Sequence, residues 1–265
     1  MTAARKRADL LLVEQGLAGS RQEAYRLILA GKVRAATRRI EKPGMVLPAD
    51  SALEVAGPAH PFVSRGGVKL SHALDVFGVD PRNRVCLDVG ASTGGFTDCL
   101  LQAGARQVIA VDVGYGQLAA RLRGDPRVHI LERTNIRTLE PSRISARPDL
   151  ASIDVSFISL ALVLPAVIRL LVSPAEVIAL VKPQFEVGKG QVGKRGVVRD
   201  PALHRAVLER VAGFANELGF AVLGMTASPL LGPMGNREFL VHLATPGVAA
   251  DVAELIAQAI APALA

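Results

Sequence analysis

The chain has 265 residues, half of them apolar, with 31 Lys and Arg against 24 Asp and Glu, 25 Gly, 16 Pro, two Cys and no Trp. That composition excludes a disordered chain, a collagen-like repeat and a disulfide scaffold, and the length suits a small module joined to a larger one. The longest apolar run, Phe157–Ile168, contains Pro165 and stops at Arg169, short of the roughly 20 apolar residues of a membrane span, and no apolar stretch of a secretion signal follows the basic start Met1–Asp9. A cytoplasmic protein with Cys86 and Cys99 as reduced thiols is expected, and neither a membrane nor a metal is expected as a partner. Charge is uneven: residues 1–57 hold ten Lys/Arg and six Asp/Glu, so +4 of the total +7 falls in that segment. A small basic module ahead of a nearly neutral body suggests a device that holds a polyanion beside an enzyme, although a solvated basic face reads the same way.

In chain order, Asp9–Val13 reads as a helix ending at Gly16, and Ser20-Arg21-Gln22-Glu23 opens a second helix as a capping box, stopping at Ala30-Gly31. Short extended pieces follow at Lys32–Arg34, Arg38–Ile40 and Leu53–Val55, with a turn at Lys42-Pro43-Gly44. Arg21, Arg26, Lys32 and Arg34 cluster where they could meet phosphates along one groove, and Arg5 and Lys6 of the basic start join them as RNA-contact candidates. Leu17-Ala18-Gly19-Ser20-Arg21, Ala24 and Ile28–Val33 resemble the RNA-binding domain named after ribosomal protein S-four, over about residues 6–56. The expected organisation is a small α+β RNA-binding domain at 1–57, a linker at 58–62 marked by Pro58 and Pro61, and a second domain at 63–265.

In the second domain a helix is expected at Val68–Phe77. Strands at Val85–Val89, Gln107–Val111, Val128–Leu131, Leu150–Asp154 and Val177–Val181 then alternate with helices at Gly95–Ala103, Gln117–Leu122 and Leu160–Leu171. A helix at Pro201–Leu218, strands at Phe220–Thr226 and Glu238–Leu243, and a helix at Ala249–Ile260 complete it. Such alternation predicts an α/β fold with a mostly parallel sheet of about seven strands, the Rossmann-like sheet of methyltransferases.

The loop Asp88-Val89-Gly90-Ala91-Ser92-Thr93-Gly94-Gly95 ends the first strand of that sheet, where open α/β sheets bind ligands. Ser92 stands where a dinucleotide fingerprint needs Gly, which disfavours NAD. Gly90-Ala91-Ser92-Thr93-Gly94 also fits the nucleophile elbow of serine hydrolases, with His204 or His242 as the available base. The favoured ligand is S-adenosylmethionine: Asp112, 22 residues beyond Gly90, is spaced to accept from both ribose hydroxyls, and Asn135 is a candidate for the adenine edge. A glycine turn that merely closes a strand–helix corner remains the bland alternative. Gly188–Lys194 imitates a phosphate-binding loop, but Arg195 replaces the required Ser/Thr, so the segment reads as a basic loop in reach of RNA phosphate through Lys189. Arg65, at the entrance to the second domain, is a further RNA-contact candidate.

Asp154-Val155-Ser156-Phe157 lacks the Pro-Pro-aromatic motif of base N-methyltransferases, and Cys86 and Cys99 lie in a strand and a helix rather than in a loop that could carry a nucleophile. Lys69, Asp154, Lys182 and Glu238 remain. Only 7 of the 31 basic residues are Lys, so two Lys at such positions carry weight: an Arg cannot surrender a proton, whereas a desolvated Lys beside another cation can. An ion pair between Asp154 and Lys182, a solvated Lys69 and a strand-edge Glu238 are the structural alternatives.

Val63–Leu70, Asp88–Thr97, Asp112–Gly116, Asp154–Ser159, Lys182–Lys189 and Gly235–Glu238 together resemble the TlyA/hemolysin-A family of ribosomal RNA 2'-O-ribose methyltransferases, within the larger FtsJ/RrmJ-like group. The resemblance implies methylation of ribosomal RNA within a ribosomal subunit, at a cytidine. It also implies that Lys182 activates the ribose hydroxyl while Lys69, Asp154 and Glu238 orient it. An RNA-binding assembly factor with a silent methyltransferase fold and a membrane-active hemolysin are the competing functions. Ala59-His60-Pro61-Phe62 departs from the basic-Ala-Trp linker motif of some relatives.

Overall fold

Two units divide the chain at Pro61 and Phe62 in the computed structural model, which describes residues 5–56, 60–188, 190, 192, 193 and 196–261. Unit 1 runs β1 (Arg5–Arg7), α1 (Ala8–Glu14), α2 (Arg21–Leu29), β2 (Val33–Ala35), β3 (Arg38–Arg39), β4 (Val46–Pro48) and β5 (Leu53–Val55). Strands pair antiparallel in the order β3-β2-β5, and β1 pairs with β4. Ala8, Leu11 and Leu12 of α1 bury against Ala24 and Ile28 of α2 and against Val33, Ile40, Leu47 and Leu53, the spacing of one apolar stripe per helix.

Sequence reasoning missed β1 and β4. Arg5-Lys6-Arg7 is exposed throughout and has no alternation to read; its pairing with Val46–Pro48 is a long-range backbone event. The capping box also differs from expectation: Ser20 Oγ accepts from Glu23 N at 3.2 Å, but the Glu23 carboxylate reaches Gly19 N at 2.8 Å.

Unit 2 opens with α3 (Arg65–Phe77) and continues β6 (Val85–Val89), α4 (Gly95–Gln102), β7 (Gln107–Val111), α5 (Ala120–Arg123), β8 (Val128–Leu131), β9 (Leu150–Ile153), α6 (Leu160–Leu170), β10 (Ala175–Val181), α7 (Pro183–Glu186), α8 (Pro201–Glu217), β11 (Ala221–Ala227), β12 (Phe239–Thr245) and α9 (Val252–Ile260). The sheet order is β11-β12-β10-β9-β6-β7-β8, with β8, β7, β6, β9 and β10 parallel and β12 antiparallel to both neighbours. Helices cover both faces, so the central strands are apolar without alternation. Leu87, Val89 and Ile109 face α6, α8 and α9, whereas Cys86, Val108 and Ala110 face α3 and α4. Strand order reverses at β6, whose neighbours are β7 on one side and β9 on the other. That switch point is where an α/β sheet leaves a crevice beyond its strand ends.

Three expected elements shift. The Gln117–Leu122 helix shrinks to α5 because the chain stays extended to Ala119 (φ −57°, ψ 140°). The first turn of α3 begins at Arg65, not Val68. Glu238 immediately precedes β12 instead of opening it.

Candidate active site

Three glycines let the elements of the site close on one another. A Cβ on Gly90 (φ +85°) would lie 2.4 Å from the backbone oxygen of Asp154, so the loop after β6 can touch the end of β9 only with Gly there. On Gly95, a Cβ would lie 2.2 Å from Ser64 Oγ, which brings the start of α3 against the start of α4. Gly232 packs against the Glu238 carboxyl, 2.1 Å from a built Cβ to Oε1. A cleft of about 440 Å³ results, lined by Ser64, Arg65, Lys69, Gly90–Thr93, Gly95, Asp154 and Gly232. A second cleft, of about 490 Å³, shares Gly90, Ser92 and Asp154 and extends over Asp112, Asn135, Val155 and Ile158.

The four candidate reacting residues form two ion pairs. Lys182 follows β10 and Asp154 follows β9, the adjacent parallel strand; Lys182 Nζ lies 2.6 Å from Asp154 Oδ1 and donates to Ser156 Oγ at 3.0 Å. Lys69 Nζ donates to Glu238 Oε2, with side chains 10% and 0% exposed. Glu238 Oε1 is buried with no hydrogen-bond partner among the described residues. Asp154 lines both clefts and Lys69 the first, whereas Lys182 and Glu238 reach them through these two partners.

Asp112 accepts from Ser92 N at 2.7 Å and Gly114 N at 2.6 Å, tying the loops after β6 and β7 together while its side chain faces the second cleft. Asn135 Oδ1 accepts from Arg137 N at 3.1 Å at the same cleft. Ala91, Ser92, Thr93 and Gly95 line the first cleft, but two proposed cofactor contacts do not reach either one. Gly94 (φ +93°) faces Leu118 and Leu122. Asp88 is fully buried under the loop, accepting from Thr97 Oγ1 at 2.6 Å and Ser152 Oγ at 3.4 Å. Burial, reinforced by the nearby Asp154 charge, pushes its carboxyl up to about 7. Asp88 therefore supports the loop from below.

The serine-hydrolase alternative fails on geometry. Ser92 Oγ meets Gln117 Oε1 at 3.3 Å, His204 Nε2 bonds to the Val198 carbonyl at 3.0 Å, and His242 Nε2 lies 2.8 Å from Glu176. Burial pushes the Cys86 and Cys99 thiols up to about 12, as for inert core residues. Among the described residues there is no group of three or more His, Cys, Asp or Glu able to hold a metal ion, and no helix long and apolar enough to cross a membrane.

The expected RNA contacts separate. Arg65 lines the first cleft and donates to Leu231 O at 2.9 Å. Lys189 lies outside the described residues. In unit 1, Arg26 and Lys32 flank a groove of about 340 Å³, and Arg34 pairs across the sheet with Arg39. Arg5 donates to Val46 O, Lys6 bonds Glu14 at 2.7 Å, and Arg21 bonds Asp9 at 2.9 Å.

Sequence reasoning missed Ser64, Ser156 and Phe157 as site residues. Phe157 is 89% exposed, holds a left-handed backbone (φ +64°) costly for an aromatic residue, and has its ring 4.9 Å from that of Phe185. An apolar ring three residues past a strand-end acid was the available signal.

The FtsJ-like methyltransferase family model matches residues 62–245, and the S4 domain model matches residues 6–51. The chain is 52% identical over 244 residues to the Mycobacterium tuberculosis 16S/23S rRNA (cytidine-2'-O)-methyltransferase TlyA, covering 92% of this chain and 91% of the relative. It is 37% identical over 237 residues to Hemolysin A of Brachyspira hyodysenteriae, covering 89% and 98%. The solved structure of a hemolysin-named protein from Streptococcus thermophilus superposes with a TM-score of 0.75 at 45% identity, covering 97% of this chain and 96% of that one. With the sheet order already described, these matches establish that the chain belongs to the FtsJ-like methyltransferase family, with a Rossmann-like α/β methyltransferase fold preceded by an S4 domain.

Proposed function

We propose that the protein transfers the methyl group of S-adenosylmethionine to a ribose 2'-hydroxyl of ribosomal RNA, at a cytidine as in the name of the M. tuberculosis relative. One observation carries this reading: the Lys182–Asp154 and Lys69–Glu238 pairs each place one member, Asp154 and Lys69, in the wall of a single cleft that the glycine loop also lines. The cofactor fits the residues present. The second cleft is of small-molecule size, has apolar walls from Val111, Val113, Ile136 and Ile158, and offers the Asp112 carboxylate to a ribose diol and Asn135 to a base edge.

When bound, S-adenosylmethionine supplies the methyl group and a positive sulfonium. Lys182 must first give up its ammonium proton to solvent; as the neutral amine it then accepts the proton of the 2'-hydroxyl as that oxygen takes the methyl group from the sulfonium, while the Asp154 carboxylate accepts a hydrogen bond from the amine and holds it in place. A positioned general base of this kind contributes roughly 10²–10⁴ in rate. Lys69, fixed by buried Glu238, presents a directed cation to the first cleft, where it can orient the ribose. Unit 1, the S4 domain, holds the RNA through its basic residues, and Arg65, in the wall of the unit 2 cleft, is a separate RNA contact. Lys189 belongs to the same proposed RNA set from the sequence.

Mapping 2'-O-methyl positions in ribosomal RNA from cells with and without the gene tests the assignment. A cytidine mark lost with the gene and restored by purified protein with S-adenosylmethionine supports it; identical maps refute it.

A further inference from the structure

Asp9 sits at 2% exposure in the first turn of α1, where an unpaired carboxylate would be costly. It is paired twice. Arg7 Nε donates to Oδ1 and Arg7 Nη2 to Oδ2, both at 2.9 Å, and Arg21 Nε donates to the same Oδ2 at 2.9 Å. One buried carboxylate thus joins the end of β1 to the start of α2. The two side chains it grips are still 45% and 59% exposed, so each guanidinium keeps outward donors that Asp9 does not use. Arg7 is further confined because its guanidinium lies against Gly44, within about 3.6 Å of where a Cβ would stand. The trio carries a net single positive charge.

We propose that Asp9 is a positioning residue for RNA binding: it holds Arg7 and Arg21 as two oriented forks toward phosphate, which makes Arg7 an RNA contact beside Arg21. This rests on the assignment of unit 1 as the RNA-holding domain. An arginine fork recognises phosphate in a fixed plane, and a long side chain immobilised before binding spares the ordering cost of binding.

The charge of Asp9 itself gives the test its sign. Asp9→Asn makes the protein more positive by one, so a merely neighbouring carboxylate, once removed, should tighten RNA binding. Positioning requires the reverse. Affinity of the full-length protein for transcribed 16S and 23S ribosomal RNA is measured across a salt series for the parent, Asp9→Asn, Arg7→Ala/Arg21→Ala and the triple variant. Asp9→Asn is expected to bind roughly tenfold more weakly, from lost orientation at two side chains. The RNA KM should rise while kcat at saturating RNA and cofactor affinity stay at parental values, and the triple variant should bind no worse than the Arg7→Ala/Arg21→Ala protein. Parental or tighter binding by Asp9→Asn overturns the proposal. If Arg7→Ala/Arg21→Ala also binds as the parent does, the RNA face lies elsewhere and the assignment of unit 1 falls with it; if only that variant is impaired, the assignment stands and positioning alone is refuted. Should Asp9→Asn lose the folded unit by melting, Arg7→Lys/Arg21→Lys decides, because it keeps every charge and leaves Asp9 paired but removes the forks. A roughly tenfold loss there supports the proposal, and parental affinity overturns it.

Discussion

Replacing Lys69 by Met should destabilise the methyltransferase unit far more than a surface charge change would. Glu238 is fully buried; among the described residues its Oε2 accepts from Lys69, and its Oε1, against the closely packed Gly232, has no hydrogen-bond partner. Removing the lysine leaves an uncompensated buried carboxylate, and breaking such a pair costs about 3–5 kcal/mol. For a domain of this size each kcal/mol lowers Tm by roughly 2–4 °C, so the transition of unit 2 should fall by roughly 6–20 °C. Replacing both partners, Lys69→Met/Glu238→Leu, removes the orphaned charge together with its counter-charge, and apolar replacement of a buried pair is often neutral or stabilising. The double variant should therefore recover most of the lost Tm and still transfer no methyl group, which separates the pair's contribution to stability from its role in the reaction. Calorimetric melts with single-turnover methylation assays measure both quantities. A Lys69→Met protein that melts with the parent, or a double variant less stable than the single one, would refute this account.

Asp88 makes stability depend on pH. Its carboxyl is raised in the folded state from 3.8 to about 7, so folding takes up a proton between those values and stability falls as pH rises through that window. At about 1.4 kcal/mol per tenfold, the penalty above pH 7 reaches roughly 4 kcal/mol. Asp88→Asn, which can still accept from Thr97, should gain on the parent between pH 5 and pH 8 in denaturant melts; parallel pH profiles would contradict this. Asp112→Ala should weaken cofactor binding by roughly 10- to 100-fold, the worth of a hydrogen bond to a charged group, and calorimetry giving parental affinity would remove Asp112 from the ribose role. Lys182→Arg replaces an amine that can lose its proton with a guanidinium that stays charged at neutral pH and so cannot act as a base, and single-turnover methylation should drop by roughly 10²–10⁴ with cofactor and RNA binding near parental. Near-parental turnover would make Lys182 an electrostatic residue only.

The sequence alone determined the class of fold and the chemistry on offer. Alternating apolar runs with turn signals mark a sheet buried on both faces, because strand and helix periods are local properties of the chain. The glycine loop, the acid 22 residues beyond Gly90 and the scarcity of Lys picked out residues whose chemistry suits methyl transfer without any coordinates. Tertiary structure decided which of them meet. Lys69 and Glu238 are 169 residues apart in the chain, and their pairing depends on α3 reaching the residue that leads into β12. Asp88 and Gly94 belong to the right loop, yet the fold turns one beneath it and the other toward Leu118 and Leu122, a choice of direction that residue type does not encode. Arg21 reads in sequence as a free cation, and only the pairing of β1 with β4 places Arg7 and Asp9 where that cation becomes half of a fixed pair. Composition and periodicity act within a few residues, whereas ion pairing, close glycine contacts and burial are set by segments that meet only when the chain is folded.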